Sequence, residues 1–310
     1  MSSQQARKRL QHQAGSFAAC LRQFLTPALL KQARRAAPPT RSCRWELYPL
    51  LLVLLTMTWC TGDSQPERFE TAPAFYVALC PKRRRPGDTA QGFHKTLARL
   101  PARVLRVLAA GVRQRLLLRF GGLLDTAGWK VFGCDGTALA CPRTAELEQR
   151  LATAGGRPGP MASPPPLGLS ALVHLASGLL WSWQLGTGAA DERGHLKGLL
   201  GSLPRGALVV ADCGYQGYEL ACTLAAAGVA FLIRVSALTT FYPVEPLGVP
   251  ADDWLGGLVW YWPQDAQRRG ERPLLVRLLR VCSPGRKHDV WLVSNVLEAE
   301  RLSEAQAALF

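Results

Sequence analysis

Two aspartates stand out by what precedes them. Asp135 closes the short run KVFGCD, and Asp212, 77 positions later, closes ALVVAD. Each is an apolar stretch that ends in a carboxylate. One explanation is local, since an Asp at a strand end accepts hydrogen bonds from free backbone N–H groups. The other is chemical, since the ends of strands in α/β proteins hold catalytic groups rigidly. The remaining reactive side chains form no competing set. The nine cysteines are scattered, odd in number and without a C-x-x-C pair, and the five histidines are equally dispersed. That pattern argues against a disulfide framework or a zinc site and fits a reducing cytoplasm.

The elements around the aspartates read as an alternating α/β pattern. After KVFGCD come a short polar helix around Thr144–Ala152 and a proline- and glycine-rich loop. Two strands follow over Leu169–Gly188, joined at Ser177–Gly178. DERGHLKGLLGSLP is a helix, ALVVAD a strand, GYELACTLAAAG a helix stopped by Gly228, and VAFLIRVS a strand. Residues of about 237–273 are rich in turn residues and aromatics, including Trp254, Trp260 and Trp262, and read as a β-rich insertion. LLVRLLRV and DVWLVSNV are two more strands, and Ser303 caps a final helix.

The N-terminal part is of another kind. Residues 1–128 hold 21 Lys/Arg against 6 Asp/Glu, whereas 129–310 hold 16 of each, so the net charge of +15 lies wholly in the first part. Such a part faces a polyanion, nucleic acid before anionic membrane. Leu97, Leu100, Val104, Leu108 and Val112 fall at helical spacing, with Arg99, Arg103, Arg106 and Arg113 opposite them. A stripe of one sign suits phosphate contact, because an ordinary solvated face mixes signs. The uncharged run Leu47–Gly62 is 16 residues long, short of the roughly 20 that a membrane span needs, and reads as a buried core helix.

The order of strands and helices is that of a ribonuclease H-like core, and the motifs resemble the DDE transposases of bacterial insertion sequences, of the insertion-sequence-four type. FGCDGTAL is similar to the family's first Asp block. The stretch from ERGHLKGLLGSLPRG through ALVVADCGYQGYEL to FLIRV is similar to its D-x-G-Y block, with a Leu-Pro-x-Gly turn before it and an Arg after it. The resemblance implies a ribonuclease H-like mixed sheet with flanking helices over 129–310, preceded by a basic, mostly helical DNA-binding domain over 1–128. It implies Asp135 and Asp212 as catalytic, metal-binding carboxylates and Mg²⁺ or Mn²⁺ as cofactor, with no other cofactor site. Carboxylates suit that task, because hard divalent ions take oxygen ligands and stabilise the charges of phosphoryl transfer. The implied partner is double-stranded DNA at transposon ends, with a homodimer or a mixed dimer with full-length transposase. The implied location is the cytoplasm, at the nucleoid, with no membrane association.

The sequence departs from the family at its last motif. The run Y-x-x-R-W-x-x-E, which carries the family's third carboxylate, has no counterpart before Phe310. The expectation is therefore a truncated transposase, inactive alone. Glu298, Glu300 and Glu304 read as surface or helix-start charges. The rivals are an active nuclease of the same fold, a non-catalytic DNA-binding remnant acting as an inhibitor, and, more distantly, a membrane protein.

Overall fold

The structure, a computed structural model, describes residues 19–37, 44–80, 83, 85–151, 164–188, 190–236, 238–244, 257–282 and 289–310. Two compact units divide the chain, Met1–Arg119 and Phe120–Phe310. Trp254 and most of the proline-rich loop between Leu151 and Pro166 lie outside the described residues.

The first unit is helical where described: α1 (Pro27–Arg35), α2 (Leu47–Met57), α3 (Gln65–Leu79), α4 (Ala90–Ala98) and α5 (Ala102–Phe120). Thr26, Ser64 and Thr89 cap α1, α3 and α4 through their side-chain oxygens. Leu50, Leu51, Leu52, Val53 and Met57 of α2 are all buried, as an apolar-all-round helix must be. Among the described residues, no helix is long and apolar enough to cross a membrane. The helical spacing over Leu97–Val112 runs across two helices, with Pro101 at the start of the second. Arg99 is the C-cap of α4, and α5 starts after Pro101. A proline pushes the residue before it, here Leu100, out of the helical region. Arg103, Arg106 and Arg113 therefore share α5 without Arg99, while Val104 and Leu108 are buried as the spacing predicts.

Among the described residues the second unit is a nine-stranded mixed sheet with flanking helices, the first of them the short α6 (Ala145–Leu151). Its strands are β1 (Lys130–Ala140), β2 (Pro166–His174), β3 (Leu179–Thr187), β4 (Ala207–Ala211), β5 (Ala230–Arg234), β6 (Phe241–Pro243), β7 (Gly257–Tyr261), β8 (Leu274–Val281) and β9 (Val290–Ser294), in spatial order β3-β2-β1-β4-β5-β9-β8-β7-β6. β1, β4 and β5 run parallel, β2 lies antiparallel to β1, and β9 lies antiparallel to β5. This is the ribonuclease H-like arrangement that the sequence order implies. β4 is covered on both faces, which is why ALVVA is apolar throughout. Gly206, at φ +75°, turns the chain into β4, and Gly228, at φ +66°, turns it out of α8 (Tyr218–Ala226).

The sheet's two faces are distinct. On one, Val131, Leu208, Leu232 and Leu279 pack with Val296, Leu302 and Ala307, the last from α10 (Glu304–Leu309). On the other, α7 (Glu192–Leu199) lies on β1, β2 and β3 and buries Leu196 and Leu199. The described part of the region expected as a β-rich insertion holds β6 and β7. β6 and β7 extend the same sheet beyond β8, and α9 (Gln264–Arg268) follows them.

Candidate active site

Strand register brings the two aspartates together. In the parallel pairing of β1 and β4, Cys134 stands opposite Ala211, and the next residues are Asp135 and Asp212. Ala211 stands opposite Ile233 of β5, so Arg234 comes next at the same level. Residues level with each other on parallel strands point to one face. Alternation from Val131, Leu208 and Leu232 puts Asp135, Asp212 and Arg234 in a row on the α10 face. Asp212 continues the extended backbone at φ −77° and ψ −176°, so the alternation carries through it. All three side chains are exposed.

The local reading of a strand-end aspartate holds for Asp212, while Asp135 lies inside β1. Asp212 Oδ1 accepts the Gly214 N–H at 2.9 Å and caps the short helical turn Cys213–Tyr215. Asp135 Oδ1 accepts the Gly136 N–H at 2.7 Å. Each bond uses one oxygen and fixes the carboxylate's orientation; Oδ2 of each has no protein partner among the described residues. The Asp212 loop is anchored on two sides. Arg193 Nε of α7 donates to the Gly214 carbonyl at 3.0 Å. Gln216 Oε1 accepts the Ser236 N–H at 2.7 Å, and its amide donates to Thr239 Oγ1 at 2.5 Å.

Beneath the row the sheet is tightly filled. Tyr215 is fully buried, and its hydroxyl has no partner of hydrogen-bonding geometry, with the Cys134 thiol as its polar neighbour. Burial pushes the Cys134 thiol up to about 11; Tyr215 pulls it down, and Asp135, Glu192 and Asp212 add to the rise. Burial likewise raises the Tyr215 phenol, with Cys134, Glu192 and Asp135 contributing.

Glu192, which the sequence pattern does not single out, approaches β1 from the α7 face. A Cβ built on Gly136 would lie 2.0 Å from Glu192 Oε1, so the end of that flexible side chain would have to swing aside. Sequence reading noted Arg234 only as the Arg after the second motif; the signal that finds it is its equal offset from the end of an apolar run. Glu298, Glu300 and Glu304 lie at the opposite end of the sheet. β9 runs antiparallel to β5 and delivers the chain to the start of β1, where Trp129 Nε1 donates to the Arg301 carbonyl at 2.9 Å. None of the three reaches Asp135 or Asp212.

As metal ligands, Asp135 and Asp212 have the right chemistry: two hard oxygen donors at one level on one face. Among the described residues, no group of three His, Cys, Asp or Glu side chains stands ready to enclose an ion. The expected basic residues divide by setting. Arg99 and Arg106 are exposed, Arg103 Nε donates to the Ala36 carbonyl, and Arg113 is half-buried, with its pKa lowered by burial. The aromatic residues of the expected insertion hold structure. Trp262 Nε1 donates to the Glu271 carbonyl at 2.7 Å and Trp260 Nε1 to Val244 at 3.4 Å.

The sequence model of the family described as Transposase DDE domain matches residues 134–298. No curated protein matches the chain. Among solved structures, one that is similar is the piggyBac transposase synaptic complex with hairpin DNA, determined by cryo-EM, at 10% identity and a TM-score of 0.40. That alignment covers 93% of this chain and 63% of the piggyBac chain.

Proposed function

The chain belongs to the transposase DDE family, and from that premise we propose that it carries out metal-dependent strand cleavage and strand transfer on DNA at insertion-sequence ends, as an insertion-sequence-four type enzyme. The observation that supports this most is the row Asp135, Asp212 and Arg234 across three neighbouring parallel strands. Asp135 and Asp212 would hold Mg²⁺ or Mn²⁺ through their unengaged Oδ2 atoms. When bound, such an ion supplies charge stabilisation at the phosphoryl oxygens. The protein's own share is positional. Two carboxylates oriented by the Gly136 and Gly214 N–H groups stay in place without reorganising. Arg234, level with them and in no ion pair among the described residues, suits a DNA phosphate beside the reacting one.

Duplex DNA is the proposed partner, with Arg99, Arg103, Arg106 and Arg113 as phosphate contacts and a dimer as the working form. The test is strand cleavage on duplexes carrying the element's own ends, in Mn²⁺ and in Mg²⁺. We expect slow, metal-dependent nicking that Asp135→Asn and Asp212→Asn each abolish. Nicking that survives both substitutions overturns the reading. Salt-sensitive DNA binding with no nicking at all favours the non-catalytic, inhibitory remnant instead.

A further inference from the structure

The row that holds Asp135 and Asp212 does not end at β1. In the antiparallel pairing of β1 and β2, Asp135 stands opposite Ala171, and in that of β2 and β3, Ala171 stands opposite Trp183. Directly opposed residues of antiparallel strands share a face. Ser170, next to Ala171, reaches the other face, where its hydroxyl bonds His195 Nδ1 of α7 at 2.8 Å. Trp183 therefore projects on the side of Asp135, Asp212 and Arg234. Ala171, between Trp183 and Asp135, carries only a methyl group. Two strand spacings, roughly 4.7–4.9 Å each, put the Trp183 and Asp135 backbones about 9–10 Å apart.

Trp183 is set apart from the other described tryptophans. Trp129, Trp181, Trp260 and Trp262 each donate the indole N–H to a backbone carbonyl, Trp45 packs on Phe93, Trp291 lies under Arg280, and Trp59 has a partner as well. Trp183 has neither a hydrogen bond nor a ring partner among the described residues. It is half-buried, and its part of the face is open: Leu180 and Leu185 of the same strand, opposite Val173 and Leu169, are 57% and 50% exposed.

The chemistry of this end of the row selects its ligand. β2 and β3 carry no Lys, Arg, Asp or Glu, so they offer a phosphate nothing; the row's cation, Arg234, stands at the other end. What Trp183 offers is an uncharged π face, and every nucleobase has one to match. A base inside a duplex is already stacked and paired, so the base that reaches Trp183 is one taken out of the helix. Nucleotides repeat about every 3.4 Å along a strand, so 9–10 Å spans one to three of them from a phosphate held at the aspartates.

Resting on the two-aspartate reading above, we infer that Trp183 is a base-stacking residue of the same site, holding one unpaired nucleobase within one to three nucleotides of the scissile phosphate. The site thereby favours DNA ends whose base at that position is already unpaired.

The experiment measures, by fluorescence anisotropy, binding of the full chain to labelled duplexes carrying the element's own ends. One duplex is fully paired; in three others an abasic residue opposes the base one, two or three nucleotides from the cleaved phosphate. The unaltered chain should bind one of the unpaired ends at least about 5-fold more tightly than the paired end. Trp183→Leu keeps apolar bulk without an aromatic ring. It should lose roughly 5–150-fold on that end, the range for a base–aromatic stack, with little change on the paired end. Trp183→Phe should keep most of the preference and Leu185→Ala all of it. No preference in the unaltered chain, a preference that Trp183→Leu retains, or equal Trp183→Leu losses on paired and unpaired ends overturns the inference. So does a Trp183→Phe loss as large as that of Trp183→Leu, or a preference that Leu185→Ala abolishes. Each of these outcomes leaves the two-aspartate reading standing where Asp135→Asn and Asp212→Asn abolish nicking; nicking that survives both overturns that reading instead.

Discussion

The two ends of the central sheet are built from similar residues put to opposite use. At the end where β1 starts, several charged and polar groups are tied into pairs and caps. Glu298 pairs with Arg301, whose guanidinium lies 5.3 Å over the Trp129 ring. Ser303 and Gln306 form a reciprocal cap on α10. Arg277, 8% exposed, donates to the Leu302 carbonyl at 2.6 Å. At the other end, where β4 stops, Asp135, Glu192 and Asp212 are exposed and lack ion pairs among the described residues. The first end is arranged for stability. The second keeps charge available, as sites do that await a ligand.

Substitutions at each end should move different observables. The largest effect belongs to the aspartates. Asp212→Asn should lower metal-dependent nicking by about 10³-fold or more, consistent with loss of charge stabilisation at a phosphoryl centre. The same change should leave the metal-free melting temperature unchanged or higher, because Asn still caps the Cys213 turn and one like charge is gone. A fall in melting temperature would place Asp212 with the structural end. Arg277→Ala should do the reverse. Losing a buried charged hydrogen bond and its packing should cost roughly 2–3 kcal/mol in denaturant unfolding, with Mn²⁺ affinity retained. Glu298→Gln, an exposed pair, should change stability by less than about 1 kcal/mol.

Thiol chemistry sharpens the contrast within the acidic end. Cys213 is exposed beside Asp212, whereas Cys134 is buried with its thiol pushed up to about 11. A raised thiol pKa means the unreactive protonated form persists below it. At pH 8, iodoacetamide should therefore label Cys213 and spare Cys134, by peptide mass mapping, and duplex ends should slow labelling of Cys213. The smallest expected effect lies in the basic unit. Replacing Arg99 or Arg106 by Ala should each reduce the slope of log K against log salt by about 0.9, with little loss of stability.

Much of this arrangement was legible from residue patterns. The runs before Asp135 and Asp212 announced β1 and β4, because strands covered on both faces need apolar residues throughout. Leu47–Met57 announced its own burial, and Ser303 its cap. What was not legible depended on distant pairing. β1 continues five residues past Asp135 because β2 pairs with it as far as Ala140, although GTALA has little strand signature of its own. β6 and β7 join the main sheet because β8 offers an edge, which nothing in their own turn-rich sequence states. Nothing in the sequence singles out Glu192, since its relation to Gly136 exists only after α7 folds onto β1. The break at Leu100–Pro101 was signalled by the proline, but the periodic leucines and valines on either side disguised it.

The central claim is that Asp135 and Asp212 hold the divalent ion that DNA cleavage needs. Asp135→Cys tests it most directly, because a thiolate is a soft ligand that accepts Mn²⁺ far better than Mg²⁺. Cys134 next to it is buried and protonated and does not confound the result. The account predicts that Asp135→Cys protein loses nicking in Mg²⁺ and regains a measurable part of it in Mn²⁺, while Asp135→Ala stays inactive in both. Equal loss for Asp135→Cys in the two metals, or nicking by Asp135→Ala in either, would contradict it.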